Sequence, residues 1–183
     1  MSQNFLKTLE LTGFKSFAEK TTLEFKEKVV AIVGPNGSGK SNIIDALRWV
    51  LGEREAKQLR GTTLDNLIFA GTAKRAGMSL AKVTLTFDNS DKKLPLDYDE
   101  LTLTRKIDKS GVSQYFWNES EMRFKDLAPI LAKAKLGSRG LTMIGQSQSD
   151  LFVRSSPFER RMMIEEVLGL REYRLKKTQS ENR

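Results

Sequence analysis

The sequence predicts an α/β fold: a mixed sheet carrying a phosphate-binding loop, with an antiparallel β layer beside it. Three observations lead there. Gly34-Pro35-Asn36-Gly37-Ser38-Gly39-Lys40-Ser41 fills every position of the pattern Gly-x-x-x-x-Gly-Lys-Ser. It lies between an apolar run, Val29–Val33, and the helical pattern Ile43, Ile44, Leu47, Val50 and Leu51. Further on, Lys82–Asp88 alternates strictly, with Val83, Leu85 and Phe87 on one face and Thr84 and Thr86 on the other, as in a half-buried antiparallel strand.

In chain order, Leu9 and Leu11 alternate with polar neighbours, as do Leu23 and Phe25. These runs predict a strand pair feeding a buried strand over Val29–Val33. Gly52 stands where a helix C-cap glycine belongs, and Arg54–Gly61 reads as a loop or short helix. Leu64–Phe69 is apolar enough to pack, and Gly71 ends it. Leu101–Ile107 is a strand, Asp108–Gly111 a hairpin turn, and Val112–Trp117 the returning strand. A helix is expected after Asp126 as N-cap, with Pro129 in its first turn and Gly137 and Gly140 ending it. Ser156-Pro157-Phe158-Glu159 is a capping box with proline at the first helical position. That helix runs to Gly169, and Phe158, Met162 and Met163 are expected in the core. Beyond it the chain is polar and free of breakers, so it reads as cut in mid-pattern.

Composition bounds the function. The 183 residues suffice for one domain with a real core, and no stretch approaches the roughly 20 apolar residues of a membrane span. With no cysteine there are no disulfides or thiolate metal sites; with no histidine, acid–base work falls to carboxylates, lysine or water. The N-terminus lacks a secretion-signal pattern, so the cytoplasm is the default. A net charge of +8 attracts polyanions. Its densest cluster, Arg171, Arg174, Lys176 and Lys177, suits nucleic-acid contact and a solvated helix face alike.

The phosphate loop carries the chemistry. Its glycines let successive N–H groups point into one concavity, and the following helix adds its free N-terminal N–H groups and positive dipole end. Lys40 would reach the β- and γ-phosphates of a nucleoside triphosphate, and Ser41 would hold Mg²⁺. A plain glycine-rich turn would not need all eight positions. A self-sufficient enzyme of this kind also needs an acidic residue ending a second apolar strand. No aspartate here follows a run of four apolar residues, and no Asn-Lys-x-Asp base-specificity motif is present. The chain reads as half an active site.

The run Gly34–Glu53 closely resembles the start of bacterial SMC (structural maintenance of chromosomes) ATPases. Leu9–Phe17 is similar to that family's first strand and loop, and Leu59-Arg60-Gly61 and Ile68–Gly71 to the segment after its phosphate loop. Ile144-Gly145-Gln146, then Arg160-Arg161, Glu165-Glu166, Gly169 and Tyr173, resemble its glutamine loop and the entry to its coiled coil. Ser147 replaces the family's usual glycine, and Gly137–Gly140 alters the loop before the glutamine.

The resemblance implies an ABC-type ATPase fold, with residues 1–169 as the N-terminal lobe of a head and 170–183 as the start of a coiled-coil arm. It implies ATP and Mg²⁺ as cofactors. Gly34 through Asn42 would contact nucleotide, with Ser41 and Gln146 on the metal. Lys15 and Ser16 would lie near the ribose and base, although core packing of Phe14 and Phe17 also accounts for that loop. Arg60 would couple DNA to ATP turnover; a plain exposed arginine is the competing reading. The implied partners are a C-terminal lobe supplying the signature motif and catalytic acid, a second head, a kleisin subunit and DNA, at the nucleoid. Two alternatives stand beside this one: the corresponding lobe of a recombination or repair ATPase, and a basic DNA-binding module with a vestigial nucleotide loop.

Overall fold

A computed structural model describes residues 5–61, 63–92, 96–133, 136 and 154–167. Strand β1 (Leu6–Thr12) pairs antiparallel with β2 (Thr21–Glu24), Leu9 facing Leu23, as the two alternating runs predict. After the phosphate loop comes helix α1 (Lys40–Val50). Two 3₁₀ turns, Ala56–Leu59 and Leu64–Leu67, and a two-residue hairpin, β3 (Gly71–Thr72) with β4 (Arg75–Ala76), lead on to the long strands. These are β5 (Leu80–Asp88), β6 (Glu100–Asp108), β7 (Ser113–Trp117) and β8 (Ser120–Met122). Helices α2 (Phe124–Lys133) and α3 (Pro157–Val167) follow.

The main sheet has the order β2-β1-β5-β6-β7-β8, and each of its ladders is antiparallel. Period-two alternation sends one set of side chains from every strand to the same face. Leu9, Leu85, Leu103 and Trp117 lie across from one another in register, and all are buried. Helix α1 covers this face with Ile43, Ala46, Trp49 and Val50. On the other face Thr84 and Thr104 join hydroxyls at 2.8 Å, so two polar residues of the half-buried strands satisfy each other.

Several expectations need correction. Val29–Val33 forms no strand and is exposed, Val29 at 88% and Val33 at 87%. An apolar run lends itself to a buried strand only where a ladder partner and a covering layer exist, and the described residues bring neither to this segment. In α1, Ile44 is exposed while Trp49 is fully buried, because Ile44 lies off the stripe that meets the sheet.

Helix α2 starts at Phe124, before Asp126, which therefore sits inside the first turn and donates its N–H to the Arg123 carbonyl at 3.0 Å. The Phe124 ring fixes this start. It packs on Tyr115 with centroids 5.2 Å apart and lies so close to Gly52 that a Cβ there would come within 2.4 Å of it. Pro129 consequently falls in the second turn, lacking the N–H that would meet the Lys125 carbonyl.

The capping box of α3 forms as predicted: Ser156 N–H donates to Glu159 Oε2 at 2.8 Å, and Glu159 N–H to Ser156 Oγ at 3.3 Å. Its apolar residues are a correction, since Phe158 is 70% and Met162 41% exposed. The described core is built by the sheet, α1, α2 and the two 3₁₀ turns, and none of the described side chains of α3 belongs to it. The Met163 side chain, Gly137, Gly140, Gln146, Ser147 and Gly169 lie outside the described residues.

Candidate functional site: a phosphate loop braced by a buried carboxylate

Glycine makes the loop possible. Gly39 is the N-cap of α1 in left-handed conformation, φ 94°, and a Cβ on it would stand 2.7 Å from Ser16 Oγ. Only glycine meets both demands at once. Because the cap has no side chain, no side-chain oxygen takes the first N–H groups of α1, and no acidic residue lies in its first turn. The helix thus presents free donors and the positive end of its dipole to the loop. Lys40 arches back over the loop, its ammonium donating to the carbonyls of Gly34 and Pro35 at 2.7 Å each. Ser38 N–H donates to the Pro35 carbonyl at 3.3 Å and closes the turn.

The fit to a triphosphate follows from this donor set: helix N–H groups without a side-chain cap, a left-handed glycine at the helix start, and a lysine drawn over the loop by two of its carbonyls. Ser41 sits in the first helical turn, beside Lys40, where a hydroxyl ligand for a phosphate-bound cation is needed. Among the described residues no group of three or more acidic side chains gathers into a metal cluster.

Four further predicted residues come together at one point, which sequence reading missed. Asp45 is buried on the underside of α1, its side chain 4% exposed. Lys15 donates to its Oδ2 and also to the Leu59 carbonyl. Arg60 Nε donates to Oδ1 and Oδ2 at 3.2 and 3.1 Å, and its Nη2 also reaches Oδ2. The same Nη2 donates to Asn42 Oδ1 at 3.1 Å, and Asn42 Nδ2 to Ser16 Oγ at 2.8 Å. Lys15, Ser16, Asn42 and Arg60 are thereby one hydrogen-bonded chain around Asp45, against the first two turns of α1. The signal in the sequence was an aspartate among the apolar residues of a helix, Ile43-Ile44-Asp45-Ala46.

At the other end of α1 a second buried charge serves the fold. Arg105 lies on the core face of β6, between the rings of Trp49 and Tyr115, each 4.7 Å from its guanidinium. It donates to the Trp49 and Glu53 carbonyls at 2.7 Å and to Ser113 Oγ at 2.8 Å. Burial pushes its pKa down to about 10 and raises that of Tyr115. It remains a cation at neutral pH, gives the Trp49 carbonyl a second donor beside the Gly52 N–H, and meets the Glu53 carbonyl just beyond the helix end. A cavity of about 680 Å³ beside it is lined by Arg54, Arg105, Tyr115, Glu121, Arg123 and Phe124 among others.

Residues 5–145 match the family described as RecF/RecN/SMC N terminal domain. Over 178 residues the chain is 48% identical to the chromosome partition protein Smc of Lactiplantibacillus plantarum, covering 97% of this chain and 15% of that protein. With the Smc of Bacillus subtilis it shares 44% over 179 residues, covering 98% of this chain and 15% of that protein. The chain therefore spans about 15% of the length of these relatives. An SMC structure from work on ATP-driven dimerization and DNA-stimulated activation of SMC ATPases superimposes with a TM-score of 0.82. It is 35% identical, and the match covers 90% of this chain and 99% of that one. The Pyrococcus furiosus Smc head domain, bound to the C-terminal domain of ScpA, gives a TM-score of 0.87 at 36% identity, covering 97% of this chain and 45% of that one. A RecF–ATP structure is similar in fold at 19% identity, with a TM-score of 0.54 over 89% of this chain and 38% of that one.

Proposed function

The chain belongs to the RecF/RecN/SMC N-terminal domain family, a family of P-loop ATPases with the ABC-type α/β fold, and we propose that it is the ATP-binding N-terminal lobe of a chromosome-organising ATPase head. The observation that carries this is the uncapped, left-handed Gly39 start of α1 beneath Lys40. Backbone N–H groups from Gly37 to Ser41 receive the phosphates, and Lys40 exchanges its carbonyl partners for phosphate oxygens. Mg²⁺, when bound, neutralises phosphate charge; Ser41 and Gln146 are its proposed ligands, the latter outside the described residues. Lys15 is already engaged by Asp45 and Leu59, so its part near the ribose is indirect, through Ser16 and Asn42.

The activating acid for water comes, in this reading, from a C-terminal lobe. The exposed Val29–Val33 segment supports that division, since it offers an apolar backbone edge with no ladder of its own. ATP then acts as the ligand that favours engagement with a second head, and hydrolysis releases it. A kleisin partner, DNA and a cytoplasmic, nucleoid-associated site belong to the same proposal. The kleisin is suggested by the ScpA-bound Smc heads, and the net charge of +8 suits DNA. No helix among the described residues is long and apolar enough to cross a membrane.

Two measurements test it. Lys40→Ala should abolish ATP binding, and unchanged affinity would overturn the assignment. ATP turnover should be absent in the chain alone and appear on mixing with the C-terminal SMC lobe of the same genome. Robust turnover by the chain alone would end the split-site reading.

A further inference from the structure

Asp45 has two cations where charge balance asks for one. A buried carboxylate needs a partner, yet a second cation on the same oxygens repels the first and must be desolvated as well. The two cations are not equivalent. Lys15 is 11% exposed and is held from a second side by the Leu59 carbonyl, so it is fixed inside the fold. Arg60 is 49% exposed and divides its donors between Asp45 and Asn42, in the first turn of α1 beside the phosphate loop. Both residues have left-handed backbone, φ 49° and 52°, which strains a non-glycine residue.

We infer that Asp45 is a latch for Arg60: Lys15 is its resident counter-ion, and Arg60 is a second one that leaves when phosphate oxygens arrive at the loop. This rests on the proposed phosphate site. The duplication is then explained. When Arg60 turns to a phosphate, Lys15 keeps the carboxylate neutralised, so release strands no buried charge. Without Lys15, Arg60 is the sole counter-ion of Asp45 and is confined to it.

The test is ATP affinity of the full chain carrying Lys15→Met, Asp45→Asn or both. Lys15→Met should weaken binding roughly tenfold, and adding Asp45→Asn should bring affinity back to within about threefold of the parent, because the neutral amide frees Arg60. A pair as weak as Lys15→Met alone would mean that Lys15 itself touches nucleotide, which overturns the latch. Parental affinity in Lys15→Met overturns it too. Should Lys15→Met fail to fold, the near-isosteric Asp45→Asn decides alone: binding at least as tight as the parent is expected, and a loss of roughly tenfold overturns the inference. Lys40→Ala separates the two levels. If it leaves affinity unchanged, the phosphate site falls and the latch with it; if it abolishes binding while the rescue fails, only the latch falls.

Discussion

At the scale of the residue, two buried charges organise α1 from its two ends, and they do so differently. Asp45 meets cations near the start, and Arg105 meets backbone carbonyls near the end. Arg105→Met should cost about 2–4 kcal/mol in urea unfolding, because it strips donors from the carbonyls of Trp49 and Glu53 while keeping apolar volume between the two rings. A loss below about 0.5 kcal/mol would show that water replaces the guanidinium freely. Neither charge was legible from residue type. The alternation of β6 puts position 105 on the same face as Leu101, Leu103 and Ile107, so periodicity did mark the place. What it could not mark was the pair of rings and the helix end that make a buried arginine tolerable there.

At the scale of the element, the end of α1 and the start of α3 proved legible, and the start of α2 did not. Gly52 was readable as a C-cap and has φ 109° directly after the C-cap Leu51. Gly52→Ala should cost about 2 kcal/mol or more, both from that φ and from the Phe124 ring, with chemical denaturation as the measure. The capping box of α3 was likewise local and correct. The Ser156 backbone N–H, and then its side chain, hold the Glu159 carboxyl below its usual 4.5. A depressed folded pKa contributes stability above the unfolded value and loses it as pH falls through the folded one. Protection of the first-turn amides of α3, taken as exchange relative to the intrinsic rate at each pH, should therefore fall on acidification below about pH 4.5, and Glu159→Gln should remove that fall. Equal pH dependence in the variant would show that the cap contributes nothing there. Faces were less legible at α3, where Phe158 and Met162 have helical spacing yet stay exposed.

At the scale of the whole molecule, the exposed Val29–Val33 segment is the feature on which the proposed division into two lobes rests. Val29→Asp should change the stability of the chain alone by no more than about 0.5 kcal/mol, since the side chain is 88% exposed. The same variant should sharply weaken assembly with the C-terminal lobe, read by co-purification or by turnover on mixing. Strong destabilisation of the isolated chain would mean that this segment already packs within it. Undiminished assembly would place the lobe contact elsewhere.

The phosphate loop, the capping box and the turn between β6 and β7 were all determined by sequence alone. Each is local: it depends on residues within about ten positions of one another, and on backbone geometry that the residues themselves impose. The convergence of Lys15 and Arg60 on Asp45, with Asn42 accepting from Arg60, was decided only by tertiary structure, as was the seating of Arg105 under α1. The partners stand 30, 15 and 56 positions apart. Nothing in the chain's local preferences states which distant cation a carboxylate will meet; only the packing of β1, α1 and the following loop against one core brings them within hydrogen-bonding reach.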